Sequence, residues 1–185
     1  MSTDAPTVIL PERGTRFDLF EVTAPVWVGK QAAVVQARAG DGSFASLKLA
    51  LTSVGEQLVE HEERVLRAVD ADAAWAPRML GGGSTGGWRW RASSWMPGIT
   101  VRGAAEAMRG EGPAASLLPL CRQVARSFAR LHEREVVHGQ VHPRHVLVDR
   151  DGGVALIDFS VAAAGEDRPP AHRLEARFGS LGAPE

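Results

Sequence analysis

A chain of 185 residues that is 44% hydrophobic can bury one or two compact cores, the scale of one two-lobed domain. The single Cys121 excludes an internal disulfide, and neither an apolar run of about 18 residues nor a charged-then-apolar leader marks a membrane span or signal peptide, so a cytoplasmic protein is expected. A formal charge of −1 leaves no basic field to draw the whole chain onto nucleic acid or an anionic membrane, so no nucleic-acid partner is expected.

Residues 1–16, with two prolines and little periodicity, read as an arm or an edge segment, and the folded part starts near Phe17. From Val26 to Ala50, short β-rich runs (VWV, AVVQA, FASLKLA) are broken by Gly29 and by Ala39-Gly40-Asp41-Gly42, which predicts a small antiparallel sheet. Ser53 with Glu56 forms a capping-box pattern, and Val59, Glu62, Leu66 and Val69 follow at spacings of three and four along one helical face. Between 79 and 95, Trp88, Trp90 and Ala92 alternate with Arg89 and Arg91 after a glycine-rich turn, predicting a second hairpin that ends at Met96-Pro97-Gly98. Leu117, Leu120, Val124, Phe128 and Leu131 make the clearest helical stripe in the chain. Val146–Val148 and Val154–Ile157 are strand-like and joined by a tight Asp-Gly-Gly turn, so a hairpin returns Asp158 toward a loop holding His138, Gln140, His142 and His145.

Two residues in this layout ask for each other. Glu62 projects from an apolar helix face, where an unpaired carboxylate would cost roughly 3–5 kcal/mol. Of 21 cationic residues only Lys30 and Lys48 are lysines, and Lys48 lies near the end of a core strand, where its compact ammonium can pair with one carboxylate and also reach phosphate oxygens. The competing reading makes Lys48 a snorkelling strand-edge residue and Glu62 a solvated neighbour of Glu60 and Glu63. His138, His142 and His145 are spaced by four and three residues, a zinc-like spacing on a helix, but Pro143 argues against an uninterrupted helix there. His138 is expected to be a structural core histidine.

In order and spacing these segments resemble the protein-kinase family over residues 17–185. SLKLA is similar to the kinase strand lysine, EERVLRAV to the helix glutamate segment, MPG to the hinge, LHEREVVHGQVHPRHVLVD to the catalytic loop, LIDFS to the metal-binding Asp-Phe-Gly, and the terminal APE to the end of the activation segment. The resemblance implies an α+β, bilobal kinase-like fold. Residues 1–16 would be an arm, 17–96 an N-lobe of antiparallel sheet plus one helix, and 97–185 a reduced helical C-lobe ending at APE. It implies ATP as nucleotide, held by Gly29, Lys48, Glu62, Ser94 and Met96, and Mg²⁺ or Mn²⁺ held by Asp158.

The departures from the family pattern carry as much information. The nucleotide loop keeps only Gly29, with Trp27 and Ala32 at the flanking positions and Lys30 adding charge. Gln140 stands at the position of the catalytic acid, and a neutral amide hydrogen-bonds without acting as a base. His145 stands at the metal-binding Asn position and is a softer ligand than the oxygen donors Mg²⁺ prefers. The resemblance therefore implies a pseudokinase of the serine/threonine kinase family, binding ATP weakly or not at all, with a regulatory or scaffold role. The alternative is an active phosphotransferase or nucleotidyl transferase with an altered catalytic loop, because HGQVHP is also similar to the His-Gly-Asp-x-His-Pro loop of small-molecule phosphotransferases. A chain stopping at APE would leave the underside of helix 117–132 open, so a protein partner or self-association through that surface is expected.

Overall fold

The computed structural model describes residues 10–69, 74–111 and 117–166. The APE phrase and most of the activation segment named above lie outside the described residues.

Six antiparallel strands build the first sheet: β1 (Arg16–Phe17), β2 (Phe20–Val28), β3 (Ala32–Arg38), β4 (Phe44–Ala50), β5 (Met79–Thr85) and β6 (Trp88–Ser94), in the order β1-β2-β3-β4-β6-β5. Side chains alternate across its two faces, as strand geometry requires. Phe17, Phe20, Val22, Val35, Ala37, Ala45, Leu47, Leu49, Trp90 and Ala92 form a buried cluster on one face. Residues 10–15 run along the edge of this sheet, where the Gly14 amide donates to Val22 and the Val22 amide to Thr15, so the expected edge segment begins pairing before Phe17.

The opposite face carries α1 (Ser53–Ala68). Its N-cap is Thr52, whose hydroxyl accepts from the Gly55 amide; the capping-box expectation placed the cap one residue too late. Thr52 also hydrogen-bonds to the Gln31 side chain, and Leu51 donates to the Gln31 carbonyl at 2.9 Å. Gly55 packs so closely that an added methyl group would overlap the Gln31 carbonyl oxygen, which seats the first turn of α1 on the β2–β3 turn. The predicted stripe is buried: Val59, Glu62, Leu66 and Val69 all lie inside.

After the first sheet come β7 (Ile99–Thr100), α2 (Val101–Glu111), α3 (Leu117–His132), β8 (Val136–Val137), a 3-10 turn (Pro143–His145), β9 (Val146–Val148), β10 (Val154–Leu156) and β11 (Ala163–Ala164). Helix α2 was not anticipated, although the Thr100 hydroxyl that accepts from the Gly103 amide and the spacing of Val101, Ala104, Ala105 and Met108 are its signals. The hairpin β9–β10 pairs Val146 with Leu156 and Val148 with Val154, and β7 joins its other edge. Strand β8 pairs with β11, which draws the segment after Asp158 against the histidine loop. A second core gathers Val65, Leu66 and Val69 of α1 with Trp75, Leu120, Leu131, Val146, Leu156 and Phe159, so α1 is packed from both sides. Among the described residues no helix is long and apolar enough to cross a membrane.

Candidate functional site

Lys48 and Arg91 are directly opposed residues of β4 and β6, so their side chains leave the sheet on the same face, the one covered by α1. Glu62 of α1 meets both. Lys48 Nζ lies 2.7 Å from Glu62 Oε2, Arg91 Nη2 lies 2.6 Å from Glu62 Oε1, and the Phe159 amide donates to Oε1 at 3.0 Å. Lys48 is 6% exposed, Arg91 5% and Glu62 0%, which rules out a solvated Glu62. Burial pushes the Glu62 carboxyl up, but the charges of Arg91 and Lys48 overcome it and hold the group below its ordinary range, so the carboxylate is ionised. Sequence reasoning foresaw the lysine and missed the arginine. The signal was there: Arg89 and Arg91 occupy the face opposite Trp88 and Trp90, above a helix carrying Glu60, Glu62 and Glu63. Arg89 in fact reaches Glu60 at 3.2 Å and Glu63 at 2.9 Å.

Asp158 arrives from the far end of the β9–β10 hairpin. Its backbone is left-handed, with φ of 62°, a conformation uncommon outside glycine that Asp tolerates better than most residues. The carboxylate holds it there: Oδ1 accepts from Lys48 Nζ at 2.8 Å and from the Ser160 hydroxyl at 2.7 Å. Burial raises the Asp158 carboxyl, and Lys48 first, then His145 and Ser160, drive it well below the usual carboxylate range. With its side chain 28% exposed, Asp158 is the most open member of the cluster.

The histidine loop lies against this group. His145 Nε2 is 3.5 Å from Asp158 Oδ2, while its Nδ1 donates to the Gln140 carbonyl at 3.3 Å. His138 is buried between Phe128 and Phe159, and its Nε2 donates to the Ile157 carbonyl at 3.0 Å. Burial lowers the His138 pKa, so the ring is a neutral core group as expected. His142 caps the 3-10 turn, its Nδ1 accepting from the Arg144 amide. Among the described residues, no three His, Cys, Asp or Glu side chains are arranged to hold a metal ion. The Gln140 side chain turns its Oε1 into a buried position with no hydrogen-bond partner.

Gly29, Ser94 and Met96 sit apart from the ion cluster. Gly29 closes the β2–β3 turn by donating to the Ala32 carbonyl, and the Trp27 ring lies so close over it that a side chain at 29 would overlap the indole. Trp27 is itself 49% exposed, covering the loop rather than filling a core. Ser94 ends β6, where its hydroxyl accepts from the Arg78 amide at 2.8 Å and lies 3.9 Å from Met96 Sδ.

For a nucleoside triphosphate this set offers one ammonium shared between two carboxylates, a loop glycine capped by an indole, and Lys30 exposed beside it. Among the described residues, a divalent metal at Asp158 would be met by its carboxylate and His145, one oxygen and one nitrogen donor. That set fits Mn²⁺ better than Mg²⁺.

Comparison with known proteins agrees with this layout. A family model described as protein tyrosine and serine/threonine kinase matches residues 92–177. Among solved structures, the chain is similar to one titled PpkA-294 apo form, with a TM-score of 0.67 and 13% sequence identity, over 82% of this chain and 61% of that one. The chain thus spans a little under two thirds of that structure's length. No curated protein matches the sequence. The fold is protein-kinase-like: α+β, with an antiparallel sheet and one helix on the N-terminal side and a small helical part after it.

Proposed function

We propose that this chain is a pseudokinase, a kinase-like module that binds ATP weakly, does not transfer its phosphate to proteins, and acts by regulating or scaffolding a partner. Residues 17–96 serve as the N-terminal lobe and 97–185 as part of the C-terminal one. The observation that carries the reading is the state of the loop facing Asp158. Gln140 supplies a neutral amide, its oxygen buried and unpartnered, where the resemblance calls for a proton acceptor, and His145 Nε2 lies 3.5 Å from the Asp158 carboxylate. Lys48, Glu62 and Asp158 are nevertheless assembled, which supports binding without transfer, with Lys48 on the phosphates and Asp158 with His145 on Mg²⁺ or Mn²⁺. Exposed Leu118, Val137 and Val141 support contact with a protein partner or a second copy of the chain.

ATP with Mg²⁺ or Mn²⁺, added at about a hundred times its dissociation constant, should stabilise the folded chain by about 2.7 kcal/mol, a melting shift of roughly 5–11 °C. Phosphoryl transfer to a generic acceptor protein should be absent, and Gln140→Asp alone should not restore it, because His145 still crowds Asp158. The assembled Lys48–Glu62–Asp158 cluster also favours a second reading, an active phosphotransferase or nucleotidyl transferase with altered loop chemistry. Robust wild-type transfer of labelled phosphate or nucleotide that Lys48→Ala abolishes would establish that reading and end the first.

A further inference from the structure

Glu62 has two oxygens and two cations, and they are not equivalent. Oε2 is served by Lys48, which at the same time holds Asp158 Oδ1. Oε1 is served by Arg91 and by the Phe159 amide. Among the described residues Arg91 meets no second carboxylate; its other terminal nitrogen donates to the Ser93 hydroxyl at 3.0 Å, two residues along the same strand, which fixes the guanidinium against the sheet. Lys48 is thus the shared cation and Arg91 the dedicated one. Two cations also balance two carboxylates within the cluster, so withdrawing Lys48 leaves the Glu62–Arg91 pair neutral, and the carboxylate it abandons is the partly exposed Asp158 rather than Glu62.

We infer that Arg91 is a positioning residue that keeps α1 docked on the sheet whether or not Lys48 is bound to Glu62. An arrangement with lysine alone makes the seat of the helix depend on that lysine, since a buried Glu62 without a counter-ion would drive α1 outward to solvent. Here the lysine can turn to an anionic group, and the helix stays. The inference rests on the proposed nucleotide site only in naming phosphate as the anion that would draw Lys48 away; the docking of α1 by Arg91 requires no ligand. His61 on the same helix donates to the Ala162 carbonyl at 2.7 Å, a further tie to the segment after Asp158 that does not involve Lys48.

Amide exchange of α1 in the ligand-free full chain tests this directly. Lys48→Met should leave the exchange of residues 58–66 within about 3-fold of wild type, because Glu62 retains Arg91. In an Arg91→Met background the same Lys48→Met change should speed exchange of that segment by ~10-fold or more, because Glu62 then has no cation. Arg91→Lys should restore protection in the Lys48→Met background, a rescue that depends on charge and that a purely space-filling role for Arg91 would not give. Failure of the double variant to fold while Lys48→Met folds with α1 protected supports the inference equally. Opening of α1 by ~10-fold or more in Lys48→Met with Arg91 intact, or failure of that single variant to fold, overturns it. Since no nucleotide is present, a failed ATP titration counts against the proposed function and leaves this result untouched.

Discussion

Gly139 lies between the buried His138 and Gln140, whose carbonyl accepts from His145, and its replacement by alanine tests how the two loops of the site are held together. Its φ is +70°, and a methyl group built on it would run into the backbone carbonyl oxygen of Val161, three residues past Asp158. The left-handed backbone costs an ordinary residue roughly 1–2 kcal/mol. The overlap with a backbone oxygen, which no rotamer change relieves, adds about 1–3 kcal/mol by analogy with overpacked cores. The expected loss is therefore about 2–5 kcal/mol, or roughly 4–20 °C in melting temperature for a chain of this length. Gly152 supplies the control: its φ is +82°, but nothing lies within 4 Å of an added methyl group, so Gly152→Ala incurs the backbone strain alone. Thermal and denaturant unfolding of the two variants should show Gly139→Ala the less stable by the overlap contribution. Gly139→Arg should be at least as damaging. Equal losses at 139 and 152 would mean that the histidine loop and the segment after Asp158 yield freely, and that the close approach holds nothing in place.

Glu62→Ala should cost about 3–5 kcal/mol in denaturant unfolding, because it leaves Arg91 buried without its carboxylate; a loss under about 1 kcal/mol would show that the guanidinium finds water instead. Acidification should weaken the fold in two steps. The His138 pKa is lowered by burial, so the unfolded chain takes up a proton that the folded chain refuses, and stability should begin to fall as pH drops below about 6.5. His138→Asn should flatten that first limb, and an unchanged slope would show that another group titrates there. The Glu62 and Asp158 pKa values are lowered in the folded state, so their contribution is fully present at neutral pH and is lost only as pH falls below about 4 toward their folded values. Urea midpoints measured from pH 7 to pH 3 should resolve both limbs.

Much of this molecule is legible from local pattern. Short β-rich runs broken by glycine marked the strands between residues 26 and 50, alternation marked the Trp-Arg hairpin, spacings of three and four marked α1 and α3, and the Asp-Gly-Gly turn returned Asp158 to the histidines. A carboxylate on an apolar helix face and one of only two lysines on a core strand were enough to pair Glu62 with Lys48. Local pattern gives the face a residue occupies, and it is silent on which residue from a distant segment will lie opposite. Tertiary packing alone set Arg91 beside Lys48 and gave Glu62 a second cation, brought Asp158 to a lysine 110 positions earlier, and carried the Phe159 amide to a carboxylate 97 positions away. The same packing folded Trp27 over Gly29, pressed Gly139 against Val161 and fixed Asp158 in a left-handed backbone. Each of these outcomes is a contest among non-local contacts for a limited buried space, and the winner depends on how α1, the sheet and the β9–β10 hairpin close on one another rather than on any short stretch of the chain.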